Sequence, residues 1–338
     1  MNITKQVILT SLLVASESGL AGDASKENDC ILNLYNSGSG ELTLSEMRMM
    51  CGSEKPQTMA AEKSEARNTG RITNRRQRES QTEFEPYVIT PHNMNYILPA
   101  YSTSAINREA YRLFDGYGEN LEDIETKFQL SLKVPLNYGD MLLKGDALYL
   151  GFTLEAWWQV YSSNISKPFR ETNYTPEIFY YAPLNWQIFG GNTAVIVGLE
   201  HQSNGRSQLL SRSWNRAYTG FLFEKDNFVL SFRSWYRLEE DEKEFEFDPG
   251  GDDNPDIEDY MGHYELGIVY KWDMFEFSFM GRRNFSTDFG AVEAGMTFPL
   301  WGKLRGYATA FHGYGESLID YNHKQSRFGI GIALNDIL

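Results

Sequence analysis

The chain has 338 residues, 41% of them hydrophobic, enough for one large domain or two small ones. Its 46 acidic residues against 31 basic give a net charge of -15, which excludes nucleic acid as a partner. Two cysteines, Cys30 and Cys51, are too few for a disulfide scaffold.

The start, Met1 to Lys5 and then the apolar run Val7 to Ala15, reads as a secretory signal peptide over 1–21. Gly19 and Ala21 supply small residues before a cut, and Glu17 is unusual there. Residues 22–83 read as a periplasmic extension and linker. Asp29 is placed to cap one short helix, and Thr43 with Glu46 has capping-box spacing before a second. A Cys30–Cys51 disulfide would clip the two together in an oxidising compartment. Residues 52–83, with Arg71, Arg75, Arg76 and Arg78, have the composition of a solvated linker.

Residues 84–338 read as one β domain, the alternation setting in at about Pro91. Phe128, Leu130, Leu132 and Val134 alternate with Lys127, Gln129, Ser131 and Lys133. The same period of two runs through 148–157, 228–237 and 327–334, with further candidate strands near 93–101, 172–182, 262–271, 274–284, 289–298 and 304–314. With a hairpin around residues 194–224 this makes about twelve strands. A soluble sandwich would turn the apolar face inward, whereas a membrane barrel turns it to lipid around a polar lumen. Lys127, Glu155, Arg233, Glu265 and Glu293 sit in mid-strand, and Trp157-Trp158, Tyr180-Tyr181 and Trp235-Tyr236 stand at strand ends like interfacial girdles. The final strand runs to the last residues, as if closing the sheet. These features predict an all-β fold, an antiparallel transmembrane β-barrel of about twelve strands with a short N-terminal extension. Closure also satisfies every backbone group in hydrocarbon.

The central hairpin carries the candidate chemistry. Val195, Val197 and Leu199 share one face, and His201 and Ser203 continue that parity, so a polar pair stands on an apolar face. After the turn, Asn215 leads the matching face of the return strand with Ala217, Thr219 and Phe221. Ser203, His201 and Asn215 then have the types and order of nucleophile, base and orienter. No G-x-S-x-G elbow is present. The loop Asn204-Gly205-Arg206, followed by Ser211, offers free amides, carbonyls and hydroxyls suited to a hard cation such as calcium, which would stabilise a developing oxyanion.

The segments His201–Ser207, Ser211–Arg216, Pro168–Tyr174, Asp252–Ile257 and Gly313–Asn322 together resemble bacterial outer membrane phospholipase A. The resemblance implies a calcium-dependent serine esterase of A1, A2 and lysophospholipase type. It would act on membrane phospholipids from the outside of a twelve-stranded outer membrane barrel, as a homodimer. It implies Ser203 as nucleophile, His201 as base, Asn215 as orienter and Gly205 as oxyanion donor. Calcium is implied at Arg206 and Ser211, with a serine matching Ser166 from the second subunit, and Asp253 matches a position tied to a second calcium site. Two departures stand out: Gln208 replaces an acidic residue near that second site, and Leu154 replaces a glutamine of the family's dimer face. The competing reading is a non-catalytic porin-like barrel, against which Tyr149, Trp157, Arg233 and Trp235 would crowd the lumen.

Overall fold

The computed structural model describes residues 70–338, apart from 86, 246, 247, 249 and 303, together with 32–33. The expected signal peptide, both capped helices and the Cys30–Cys51 pair lie outside the described residues. Period-two segments become twelve antiparallel strands: β1 (Tyr96–Thr103), β2 (Ile124–Pro135), β3 (Ala147–Trp158), β4 (Phe169–Leu184), β5 (Asn192–Ser203), β6 (Ser213–Lys225), β7 (Phe228–Leu238), β8 (Tyr264–Trp272), β9 (Phe275–Arg283), β10 (Gly290–Trp301), β11 (Leu304–Gly313) and β12 (Gln325–Ala333). Each pairs with its chain neighbour, and β12 pairs with β1, so the sheet closes. Closure leaves no edge, which is the condition for spanning hydrocarbon with strands.

The two rims differ. At one, turns as short as Asp226–Asn227 join the strands, with Asp226 taking the left-handed backbone (φ 53°) that a two-residue hairpin demands. At the other, connections run over 104–123, 159–168, 204–212, 239–263, 284–289 and 314–324. Short turns on one side and long loops on the other are the outer membrane pattern.

Strand alternation sorts the side chains as the sequence leads one to expect. Leu130, Leu150, Val197 and Leu199 face outward, 47–54% exposed, while Tyr149, Trp157 and Trp235 are buried in the lumen. The aromatic doublets divide, because neighbours on a strand point to opposite faces. Trp157, Tyr181 and Trp235 turn inward, and only Trp158, Tyr180 and Tyr236 remain for the outer surface.

The lumen is filled with ion pairs. Arg170 grips Glu125 with two hydrogen bonds (3.0 and 2.9 Å) and reaches Asp320 at 3.0 Å, while Arg327 reaches Glu125 at 2.7 Å; all four side chains are fully buried. Glu316 accepts from Lys127 (3.0 Å), Trp157 Nε1 (2.9 Å) and Tyr101 (2.7 Å). Such pairing is what lets charge survive in a dry interior, where an isolated charge would cost several kcal/mol or about that order. The segment Gly313–Asn322 folds inward to supply Glu316 and Asp320, closing over the lumen beneath the long-loop rim. Burial alone would raise the Asp320 carboxyl, but Arg170 and Arg327 outweigh it and hold the group below its ordinary value.

One element departs from expectation. Arg71–Glu79, read as solvated linker, is a helix, α1, at the short-turn rim. Glu224 at the foot of β6 accepts the Ile72 amide (2.7 Å) and the Thr73 amide (3.2 Å), so a strand carboxylate caps the helix. Arg76 lies 3.6 Å above the inward Tyr181 ring, Arg75 donates to the Ile337 carbonyl (2.7 Å), and Lys133 pairs with Glu79 (2.8 Å). The helix thus belongs to the barrel unit.

Candidate active site on the outer face

Register places the candidate groups. Across β5 and β6, His201 lies directly opposite Asn215, and Ser203 lies opposite Ser213; on the other flank Ser203 faces Tyr174 of β4. The parity that exposes Val197 and Leu199 carries His201 and Ser203 outward at the long-loop rim. His201 Nδ1 and Asn215 Oδ1 are 2.8 Å apart. An amide oxygen can only accept, so the ring proton sits on Nδ1 and leaves Nε2 as the basic nitrogen. Ser203 Oγ is on the same face two residues on but is not hydrogen-bonded to the imidazole here. Such contacts commonly tighten only with substrate bound.

A shallow groove of about 580 Å³ lies on the outer wall beside this point, reaching Leu199 and Ala217, two residues along the strands from His201 and Asn215. Ala217, Thr219 and Ser234 form its low floor, with Ile178, Leu199 and Tyr236 among its walls. Its lining crosses from β3 to β7 in two register-paired rows, Leu148–Tyr180–Val197–Thr219–Ser234 and Ile178–Leu199–Ala217–Tyr236.

The loop after β5 is organised by Asn204, which sequence reasoning passed over as a mere turn residue. It is buried, its amide donates to the Leu210 carbonyl (2.7 Å), and its Oδ1 accepts from the Arg206 and Arg212 amides (3.2 and 3.0 Å). Gly205 then takes a φ of 62°. The Arg206 guanidinium donates to the Phe169 carbonyl at 2.8 Å, tying the loop to β4. Asn215 Nδ2 donates to Glu240 Oε1 at 2.8 Å, a second partner not picked out from sequence. Glu240 was hidden in the run Glu239-Glu-Asp-Glu-Lys-Glu244, whose composition is that of a solvated loop.

The metal candidates divide. Arg206 and Ser211 are on one loop and offer a carbonyl and a hydroxyl, hard neutral oxygens of the kind calcium takes. Ser211 Oγ points at the Asp253 carboxylate and donates to it, so a charged oxygen stands beside the loop. This donor set is of the kind a calcium ion takes. Ser166 belongs to another loop, exposed, with φ 59°. The second site does not fit. Lys243 Nζ lies 2.5 Å from Asp253 Oδ1, putting an ammonium against that carboxylate, and Gln208 brings no charge. Among the described residues no group of three or more His, Cys, Asp or Glu is arranged for a metal.

The segments singled out in the sequence meet behind the site. Arg170 pairs with Asp320, Asn173 accepts the Leu318 amide (3.0 Å), and Asn254 accepts the Ser213 amide (3.0 Å). Fold and site together define a class: an outer membrane β-barrel with a polar, hydrolase-like cluster on its lipid-facing wall. The phospholipase A1 family model matches residues 72–334, and the chain belongs to that family of outer membrane lipid ester hydrolases. It is 40% identical to phospholipase A1 of Klebsiella pneumoniae over 260 residues, covering 76% of this chain and 86% of the relative. The Escherichia coli K12 phospholipase A1 is 39% identical over 258 residues, covering 76% and 85%. Among solved structures, outer membrane phospholipase A from Escherichia coli superimposes with a TM-score of 0.71 at 38% identity, covering 78% of this chain and 98% of that one. The Salmonella typhi outer membrane phospholipase, a dimer with bound calcium, gives 0.70 at 38% identity, covering 77% and 97%. Another Escherichia coli structure carries an active-site asparagine-to-alanine substitution.

Proposed function

We propose that this chain is a calcium-dependent outer membrane phospholipase that hydrolyses acyl esters of glycerophospholipids, A1, A2 and lysophospholipase in type, and works as a homodimer. The observation that carries the reading is the outward His201–Asn215 pair at 2.8 Å, beside Ser203 and next to an apolar groove on the lipid-facing wall. Ser203 Oγ attacks the ester carbonyl while His201 Nε2 takes its proton. Asn215 holds the ring so that Nε2 faces the hydroxyl. The imidazolium then returns the proton to the departing glycerol oxygen, leaving an acyl-serine. Water, activated by the same nitrogen, releases the fatty acid. Gly205, turned by its left-handed backbone, presents an amide to the oxyanion. An amide orienter suits this exposed wall, because it costs less to withdraw from water into lipid than a carboxylate would. When bound at Arg206 and Ser211, with Ser166 of a second copy, calcium supplies positive charge near the developing oxyanion.

Ser203→Ala in the detergent-solubilised, calcium-loaded chain should release fatty acid from mixed micelles at no more than about one thousandth of the parent rate. Equal rates for parent and variant would end the proposal. Chelation of calcium should silence the parent reversibly, with activity returning on re-addition; full activity in excess chelator would remove the ion from the scheme. The lipid groove and the crowded lumen both weigh against the porin-like alternative.

A further inference from the structure

We propose that Glu240 is the fourth member of the catalytic array, a positioning residue that fixes which end of the Asn215 amide faces His201. The proposal rests on Ser203, His201 and Asn215 being the reacting group and its supports. An asparagine side chain is nearly symmetric in shape, and its two ends do opposite things. With Oδ1 toward His201, the ring carries its proton on Nδ1 and Nε2 is free to act as base. With Nδ2 toward His201, the ring nitrogen facing it must accept, and the proton moves to Nε2, where it blocks base catalysis. A triad whose orienter is a carboxylate has no such ambiguity. One whose orienter is an amide needs something to choose the end.

The structure supplies it. Asn215 lies opposite Leu238 in the β6–β7 ladder, and Leu238 faces outward. Two residues further along the same parity comes Glu240, just beyond the end of β7. Its Oε1 is 2.8 Å from Asn215 Nδ2, while Asn215 Oδ1 is 2.8 Å from His201 Nδ1. An ionised carboxylate only accepts, so it admits the amide in one orientation alone. The chain of constraint runs from the Glu240 carboxylate to the Asn215 amide, then to the Nδ1 proton, and leaves Nε2 bare. The carboxylate also lies beyond the amide on the axis along which positive charge appears when His201 takes the Ser203 proton. Glu240 is partly shielded at the rim, unlike its exposed neighbour Glu239.

The test uses the full chain in detergent with calcium and phospholipid mixed micelles. Heat-modifiable gel migration confirms that each variant retains the folded barrel. Glu240→Ala is expected to lower kcat roughly tenfold to a hundredfold, the cost of misplacing a catalytic group, with KM near that of the parent. Glu240→Gln keeps the side chain's size but can donate as well as accept, so it loses the selection and should remain impaired in kcat. In an Asn215→Ala background, Glu240→Ala should cost nothing further, because the amide it orients is gone. A parental kcat for Glu240→Ala would overturn the proposal. So would a Gln variant with parental kcat, or full additivity with Asn215→Ala. Ser203→Ala, run in parallel, separates the two readings. If it is dead while Glu240→Ala is unimpaired, only the fourth residue falls; if it is active, the triad itself falls.

Discussion

In the proposed mechanism, one backbone angle, that of Gly205, carries chemistry. Its φ of 62° lies where a side chain is disfavoured, and a Cβ there would stand 3.2 Å from the Tyr174 ring. Adding a methyl group therefore strains the backbone by about 1–2 kcal/mol and pushes the loop off β4. The strands do not depend on that loop, so the barrel should persist. On the proposed mechanism, the amide would then no longer point at the developing oxyanion. Gly205→Ala is expected to keep heat-modifiable migration and to lose about 10²-fold or more in kcat, the usual cost of losing an oxyanion donor. Retention of the parental rate would mean that the oxyanion is held elsewhere. The neighbouring residues differ in how they could be read from sequence. His201 and Ser203 follow from strand parity alone, and Asn215 from hairpin register. Asn204 and Glu240 do not, since each acts through a hydrogen bond that exists only once the loops have closed.

At the scale of the element, α1 was invisible for a physical reason. Arg71-Ile-Thr-Asn-Arg-Arg-Gln-Arg-Glu79 has no apolar stripe, and a helix with none normally fails to dock. Its support comes instead from polar groups about 150 positions away: the Glu224 carboxylate at its start and the Asn227 amide oxygen, which accepts from Arg71 at 3.0 and 2.9 Å. At its end, burial tends to raise the Glu79 carboxyl, but Lys133 and Arg75 outweigh that and hold it below its ordinary 4.5. The sign follows. A group with a depressed folded value stabilises docking above about pH 4.5, and the stabilisation is lost as pH falls through the lower folded value. Amide exchange over 71–79, corrected for intrinsic rates, should therefore lose protection between pH 7 and pH 3. Glu79→Gln should start less protected at pH 7 and change little with acid. An equal response from parent and variant would show that other groups govern docking. The strands, by contrast, were legible throughout, because period-two alternation is written locally and closure needs no further signal.

At the scale of the whole molecule, the proposed homodimer raises the question of what would draw two barrels together in a solvent as apolar as their walls. Burial of Leu130, Leu150 and Leu154 gains little there, because lipid tails already cover them. Association must then lean on packing, shared calcium and any polar contact withdrawn from lipid. Leu154 faces outward between Leu130 and Tyr174, and the resemblance drawn from the sequence implies a glutamine at this position on the dimer face. A parent dimer would therefore lack a hydrogen bond that its relatives can make across the interface, and calcium would carry a larger share of the association. Two results should follow in analytical ultracentrifugation in detergent. Removing calcium should return the parent to monomers. Leu154→Gln should tighten the dimer by about 0.6–1.7 kcal/mol, roughly threefold to fifteenfold in Kd, the range measured for hydrogen bonds between membrane-embedded side chains. Because Ser166 would be supplied across the same interface, the variant should also reach half-maximal activity at lower protein concentration. A Gln variant no tighter than the parent would place the contact between copies on another part of the wall.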